Sequence, residues 1–88
     1  MDPVTYSVFP LQAGWAVQLQ PDGPPLVFFS GGRAEAAARR LCKASLASGA
    51  PAEVHVHGRD GGFVGGWRYS DGRAVRIDAA EFTALWAK

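Results

Sequence analysis

Apolar and polar residues alternate with a period of two along much of this chain, and Gly, Pro or Asp breaks the alternation each time. A period of two places successive side chains on opposite faces of a strand, so the pattern commits most of the chain to a sheet. Val4, Tyr6 and Val8 alternate with Thr5 and Ser7, which predicts a first strand over Val4 to Phe9. Pro10 to Gly14 reads as a turn, after which Trp15, Val17 and Leu19 alternate with Ala16, Gln18 and Gln20 in a second strand. Pro21, Asp22, Gly23, Pro24 and Pro25 cannot continue a ladder, because proline donates no N–H and Asp-Gly suits a reversal. Leu26 to Ser30 then returns as a third strand, with Val27 and Phe29 on one side, Leu26 and Phe28 on the other, and both sides expected to be covered.

The period lengthens once. Ala34, Ala37, Ala38, Leu41 and Cys42 recur at steps of three and four, with Glu35, Arg39 and Lys43 on the opposite side, which predicts a helix from about Arg33 to Leu46. Gly32 stands at the expected N-cap three residues before Glu35, and Gly49 and Pro51 end the helix. Glu53 to His57 and Phe63 to Tyr69 form a second hairpin around Arg59, Asp60, Gly61 and Gly62, and Asp71-Gly72 leads into a sixth strand over Arg73 to Ile77. Asp78 and Glu81 have the spacing of a capping pair, and Phe82, Leu85 and Trp86 form a narrow apolar stripe on the tail helix that follows. So short a helix is marginal in water, so the stripe is expected to dock on the open face of its own sheet or on a second copy. The expected fold is α+β: an antiparallel sheet of four to six strands in the order β-β-β-α-β-β-(β)-α, helix 33–46 on one face, and Trp15, Val17, Leu41, Val54 and Val56 in the core. Gly14-Trp15, Asp22-Gly23 and Ala34-Glu35 are loosely echoed by Gly66-Trp67, Asp71-Gly72 and Ala80-Glu81; the abundance of Gly, Asp and Ala makes coincidence the simpler explanation than duplication.

Eighty-eight residues suffice for one domain, and 48% hydrophobic with 19% charged residues is an ordinary globular balance. Formal net charge is +1, so no whole-molecule field draws nucleic acid or an anionic membrane; such a role would need a local patch. Cys42 is the sole cysteine, which excludes an intrachain disulfide and a Cys-rich zinc site and points to a reducing cytoplasm. Met1-Asp2-Pro3 carries an acid where a secretory signal carries a base, and the longest strongly apolar run, Leu26 to Phe29, falls far short of the ~18 residues of a membrane helix. A cytoplasmic chain with no membrane partner is the expectation.

Tyr6 to Val8, Gly14-Trp15-Ala16-Val17, Arg33-Ala34-Glu35-Ala36 and above all Val56-His57-Gly58-Arg59-Asp60-Gly61 resemble a family of short bacterial proteins, the domain-of-unknown-function family 2188. The resemblance spans about Val4 to Tyr69 and implies a sheet crossed by one helix, with no activity, substrate or catalytic residue to carry over. Gly32 stands where that family usually has a Thr or Ser cap, and residues 70–88 form an extension without a counterpart.

No residue pattern demands catalysis. His55 and His57 leave one strand face together, yet a metal site needs a third ligand and nearby Asp60 belongs to a turn, so a half-exposed strand face is the simpler reading. Cys42 lies on the apolar stripe of the helix with no base beside it, as a small buried hydrophobe would. Gly31-Gly32 before a helix, followed by Arg33, could present N–H groups to phosphate, but neither G-x-G-x-x-G nor a P-loop lysine is present. Carboxylates lack an apolar setting, and no serine occupies an elbow motif. The richest cluster is Arg59, Trp67, Arg68, Tyr69, Arg73 and Arg76, where cations interleave with rings as in sheets that bind nucleic acid, diluted by Asp60, Asp71 and Asp78. The sequence therefore predicts a non-catalytic domain without cofactor or metal that binds a protein partner or itself as a homodimer. The alternative is a sheet that binds nucleic acid. The expected surface comprises Arg59, Trp67, Arg68, Arg73 and Arg76 with Phe82, Leu85 and Trp86 of the tail.

Overall fold

The computed structural model describes residues 3–78, so the tail helix expected after Asp78, with Phe82, Leu85 and Trp86, lies outside the described residues. The elements are β1 (Val4–Leu11), β2 (Gly14–Leu19), β3 (Leu26–Phe28), α1 (Gly31–Ala47), β4 (Ala52–His57), β5 (Phe63–Ser70) and β6 (Arg73–Asp78). They form one α+β layer pair, a six-stranded sheet in the order β3-β2-β1-β4-β5-β6 with α1 on one face.

The sheet is mixed, which corrects the expected all-antiparallel arrangement. β1 and β4 pair in parallel at its centre, with Val4 beside Ala52, Tyr6 beside Val54 and Val8 beside Val56. Parallel neighbours need a long connection, and the path through β2, β3 and the 17-residue α1 supplies it. Two three-stranded meanders thus spread outward from the parallel pair, β1-β2-β3 to one edge and β4-β5-β6 to the other.

Several boundaries shift for local reasons. β1 runs on through Pro10 to Leu11, although Pro10 was expected in the turn. The missing N–H is tolerated because β4 accompanies β1 only as far as Val8, leaving that side of Pro10 without a ladder to satisfy. Ser30, not Gly32, caps α1: its backbone is extended and its Oγ accepts the Arg33 N–H at 3.2 Å, so Gly31 and Gly32 form the first turn. Gly31 lies against Trp15, where a Cβ would come within 3.0 Å of the indole. Asp71 (φ 51°) and Gly72 (φ 74°) both adopt positive φ, the requirement of the two-residue reversal that joins β5 to β6.

The core lies between α1 and the facing side chains of β1, β2, β4 and β5. Ala34, Ala38 and Cys42 of α1 are fully buried against Val8, Val17, Ala52 and Val54, and the small helix residues allow close approach to the sheet. Each buried valine contributes roughly 1.5 to 3 kcal/mol. Trp15, Leu41 and Val56, expected inside, flank this cluster and are partly buried, whereas Tyr69 is almost wholly buried. Both Trp15 and Trp67 face α1, but Trp15 pairs with Pro10 and Phe28 and Trp67 with Val54 and Arg76, so the two Gly-Trp pairs sit at different levels of the sheet.

Candidate functional site

The alternation that builds β5 and β6 also divides the expected basic and aromatic cluster. Trp67 and Arg76 are cross-strand neighbours on the α1 side, and Arg68 and Arg73 point to the opposite face. Arg59 lies apart, in the β4–β5 loop. No single surface carries all five residues.

On the α1 side the cluster gains a residue from the helix. Arg39 stacks 4.2 Å from the Trp67 ring centroid and donates from Nε to Tyr69 Oη at 2.8 Å, and the Arg76 guanidinium lies 5.5 Å from the same centroid. Among the described residues neither arginine forms an ion pair. Trp67 Nε1 is buried and meets no acceptor among them. Two cations on one indole form a positive corner between α1 and β6, suited to an anion. Arg39 was assigned to the polar helix face from sequence, and nothing local marks its contact with Trp67.

On the opposite face Arg68 is already committed. Its Nε donates to Glu53 Oε2 at 3.0 Å, and Glu53 Oε1 lies 2.7 Å from His55 Nε2. Burial alone would raise the Glu53 pKa, but the hydrogen bonds and charges of His55 and Arg68 outweigh it and hold the carboxyl below its usual range. His57 Nδ1 lies 3.2 Å from the Gly61 carbonyl, and both imidazoles meet the Phe63 ring edge-on at 5.5 and 6.1 Å. The Val56-to-Gly61 motif makes a compact loop: Gly58 N–H donates to Gly62 O at 2.9 Å, Gly61 N–H to Gly58 O at 3.0 Å, and Gly62 N–H to Asp60 Oδ1 at 2.9 Å. A shallow groove of about 360 Å³ lies beside that loop, lined by Phe9, Pro10, Gln20, His57 and Arg59 among others. Burial first, then the Glu53 charge, pushes the Cys42 thiol up to about 12, so at neutral pH it is not a thiolate.

A further surface went unrecognised in the sequence. β3 is a three-residue strand at one edge of the sheet. Leu26 is 50%, Val27 63% and Phe29 92% exposed, with Leu19 of β2 also exposed beside them. Phe28 packs at the margin of the core, but Leu26 and Val27 are not covered as the double-sided apolar pattern suggested, because α1 starts two residues after Phe29 and lies mainly over β1, β2 and β4. Pro24 and Pro25 end its ladder on one side. No helix among the described residues is long and apolar enough to cross a membrane. Comparison of the chain with protein-family models, with curated proteins and with solved structures yields no match.

Proposed function

We propose that this chain is a non-catalytic protein-interaction module that receives an extended segment of a partner, or of a second copy, along β3. The observation that carries this reading is the uncharged edge Leu26-Val27-Phe28-Phe29, with Phe29 92% exposed. Sheet edges leave backbone N–H and C=O groups unpaired, and domains usually blunt them with charge. A short apolar edge without charge fits strand addition, in which main-chain hydrogen bonds give affinity and alternate side chains give selectivity. A two-fold pairing of β3 with itself is the simplest instance. The test is sedimentation of the full chain beside a Val27→Lys variant, with both also used as bait for protein partners. A dimer or a bound partner present with the parent chain and lost with the variant supports the reading. Equal behaviour of the two chains contradicts it.

The positive corner favours a second reading, nucleic-acid binding by phosphate contact. Arg39 and Arg76 replace Arg68 as its carriers, since Glu53 already holds Arg68. Retention on a polyphosphate matrix should then fall steeply with salt, and Arg39→Ala and Arg76→Ala should each flatten that dependence by about one phosphate contact. Absence of binding at low salt removes this second reading.

A further inference from the structure

The parallel pair at the centre of the sheet splits at its carboxyl end. β4 accompanies β1 only as far as Val56 beside Val8; past that level β1 continues to Leu11 against β2, and β4 ends at His57, opposite β5. The two connections leave in opposite directions, one toward each edge of the sheet. In open sheets such divergence between parallel neighbours opens a crevice at their carboxyl ends, and ligands bind there. The groove of about 360 Å³ lies at this split: Phe9 and Pro10 come from β1, His57 from β4 and Arg59 from the loop that follows. None of its lining residues belongs to β3 or α1, so the groove is separate from the proposed receiving edge.

Its polar groups are ones that the fold leaves unused. Ser7, which lines the groove and points away from α1, is only 9% exposed, and among the described residues its hydroxyl has no hydrogen-bond partner. A buried hydroxyl without a partner costs free energy, so its hydrogen bond has to come from the groove. Arg59 forms no ion pair among the described residues, while the adjacent Asp60 already accepts from the Gly62 N–H. His57 is held in place: Nδ1 meets the Gly61 carbonyl, and a register shift between β4 and β5 sets Phe63 opposite it, with the Phe63 ring edge-on to the imidazole.

We propose that this groove binds a small organic acid with a flat apolar body and a hydroxyl at the end opposite its carboxylate. Arg59 pairs with the carboxylate, the body lies against Phe9, Pro10 and the fixed His57 ring, and Ser7 and Gln20 take the hydroxyl. Ser7 and Phe9 are two residues apart on an extended strand, about 7 Å, which suits a single aromatic ring substituted at both ends.

Titration of the full chain with para-hydroxyphenylacetate, followed by backbone amide chemical shifts, tests this. Saturable shifts should gather at Ser7, Phe9, Gln20 and His57 to Gly61 and leave Leu26–Phe28 unmoved, so the outcome does not depend on whether β3 receives a strand. Arg59→Ala should weaken binding by about tenfold or more, with unchanged shifts elsewhere reporting an intact fold. The alcohol para-hydroxyphenylethanol, which lacks the carboxylate, should be weaker by a similar factor. Ser7→Ala should leave phenylacetate binding as it is and remove the preference for the hydroxylated acid. Absence of saturable shifts at millimolar concentrations, binding undiminished by Arg59→Ala, or inorganic phosphate as effective as the organic acid would each overturn the proposal.

Discussion

The two edges of this sheet are built on opposite principles. β6 carries Arg73, Arg76 and Asp78, with the Arg76 guanidinium beside the Trp67 ring, so this edge is charged. β3 carries no charge and exposes Leu26 and Val27, with Phe29 just beyond. Charge on an edge discourages pairing with another chain, because an incoming strand would have to desolvate it. An uncharged edge invites pairing, and its three-residue length limits how much of an unwanted strand it accepts. One edge is closed by its sequence and the other is left open, which is why the interaction reading rests on β3 and not on the arginine-rich hairpin.

The comparison implies a graded response to substitution. The closed half depends on tight strand contact: a Cβ on Gly66 would overlap the Val54 carbonyl, so Gly66→Ala should destabilise the domain by on the order of 4 kcal/mol in denaturant melts. A cost below about 1 kcal/mol would show that β5 can move away from β4 and that the β6 half is not pinned. Val54→Ala, at a fully buried site beneath α1, should cost about 2 to 3 kcal/mol, and Leu41→Ala, only partly buried, about 2 kcal/mol.

At the open edge the effect should fall on association instead. Phe29→Asp should change stability by less than about 0.5 kcal/mol while lowering partner or self-association at least tenfold. Stability loss comparable to that of Val54→Ala would mean that Phe29 serves the fold and not a partner.

The smallest effect is a pH dependence on the face away from α1. Glu53 has a depressed pKa in the fold, so its contribution is complete above the ordinary Glu value of about 4.3 and is lost as pH falls through the lower folded value. Glu53→Gln should therefore flatten the acid limb of a melting-temperature profile below about pH 4.5 and leave the neutral region with a modest loss. An unchanged acid limb would show that the pairing with His55 and Arg68 is not maintained in solution.

Local chemistry made much of the fold legible. Alternation located β1, β2 and β4, turn residues located β3, β5 and β6, and the Ala-rich stripe located α1 and the burial of Cys42. Features that depend on distant residues were not legible. Nothing in Val4–Val8 or in Ala52–Val56 signals that they pair in parallel, because strand direction is set by the intervening path. Arg39 and Tyr69 are 30 positions apart, so their hydrogen bond and the stacking of Arg39 on Trp67 leave no trace in periodicity. Gly32 and Glu35 matched a capping spacing and drew attention from Ser30, which supplies the cap. The apolar run Leu26 to Phe29 reads as buried on both faces; the exposure of Leu26, Val27 and Phe29 follows only from β3 being last in the strand order.

The claim that β3 is a receiving edge is tested most directly by backbone amide exchange of Leu26–Phe28, measured for the chain alone and for the chain associated with a partner or with itself. Leu26 and Phe28 turn their N–H groups toward β2 and Val27 turns its own outward, so strand addition should slow exchange of the Val27 amide at least tenfold on association, while the amides of Arg73–Asp78 keep the rates they have in the free chain. Association that leaves the Val27 amide exchanging as before, or that protects Arg73–Asp78 in its place, would contradict the account.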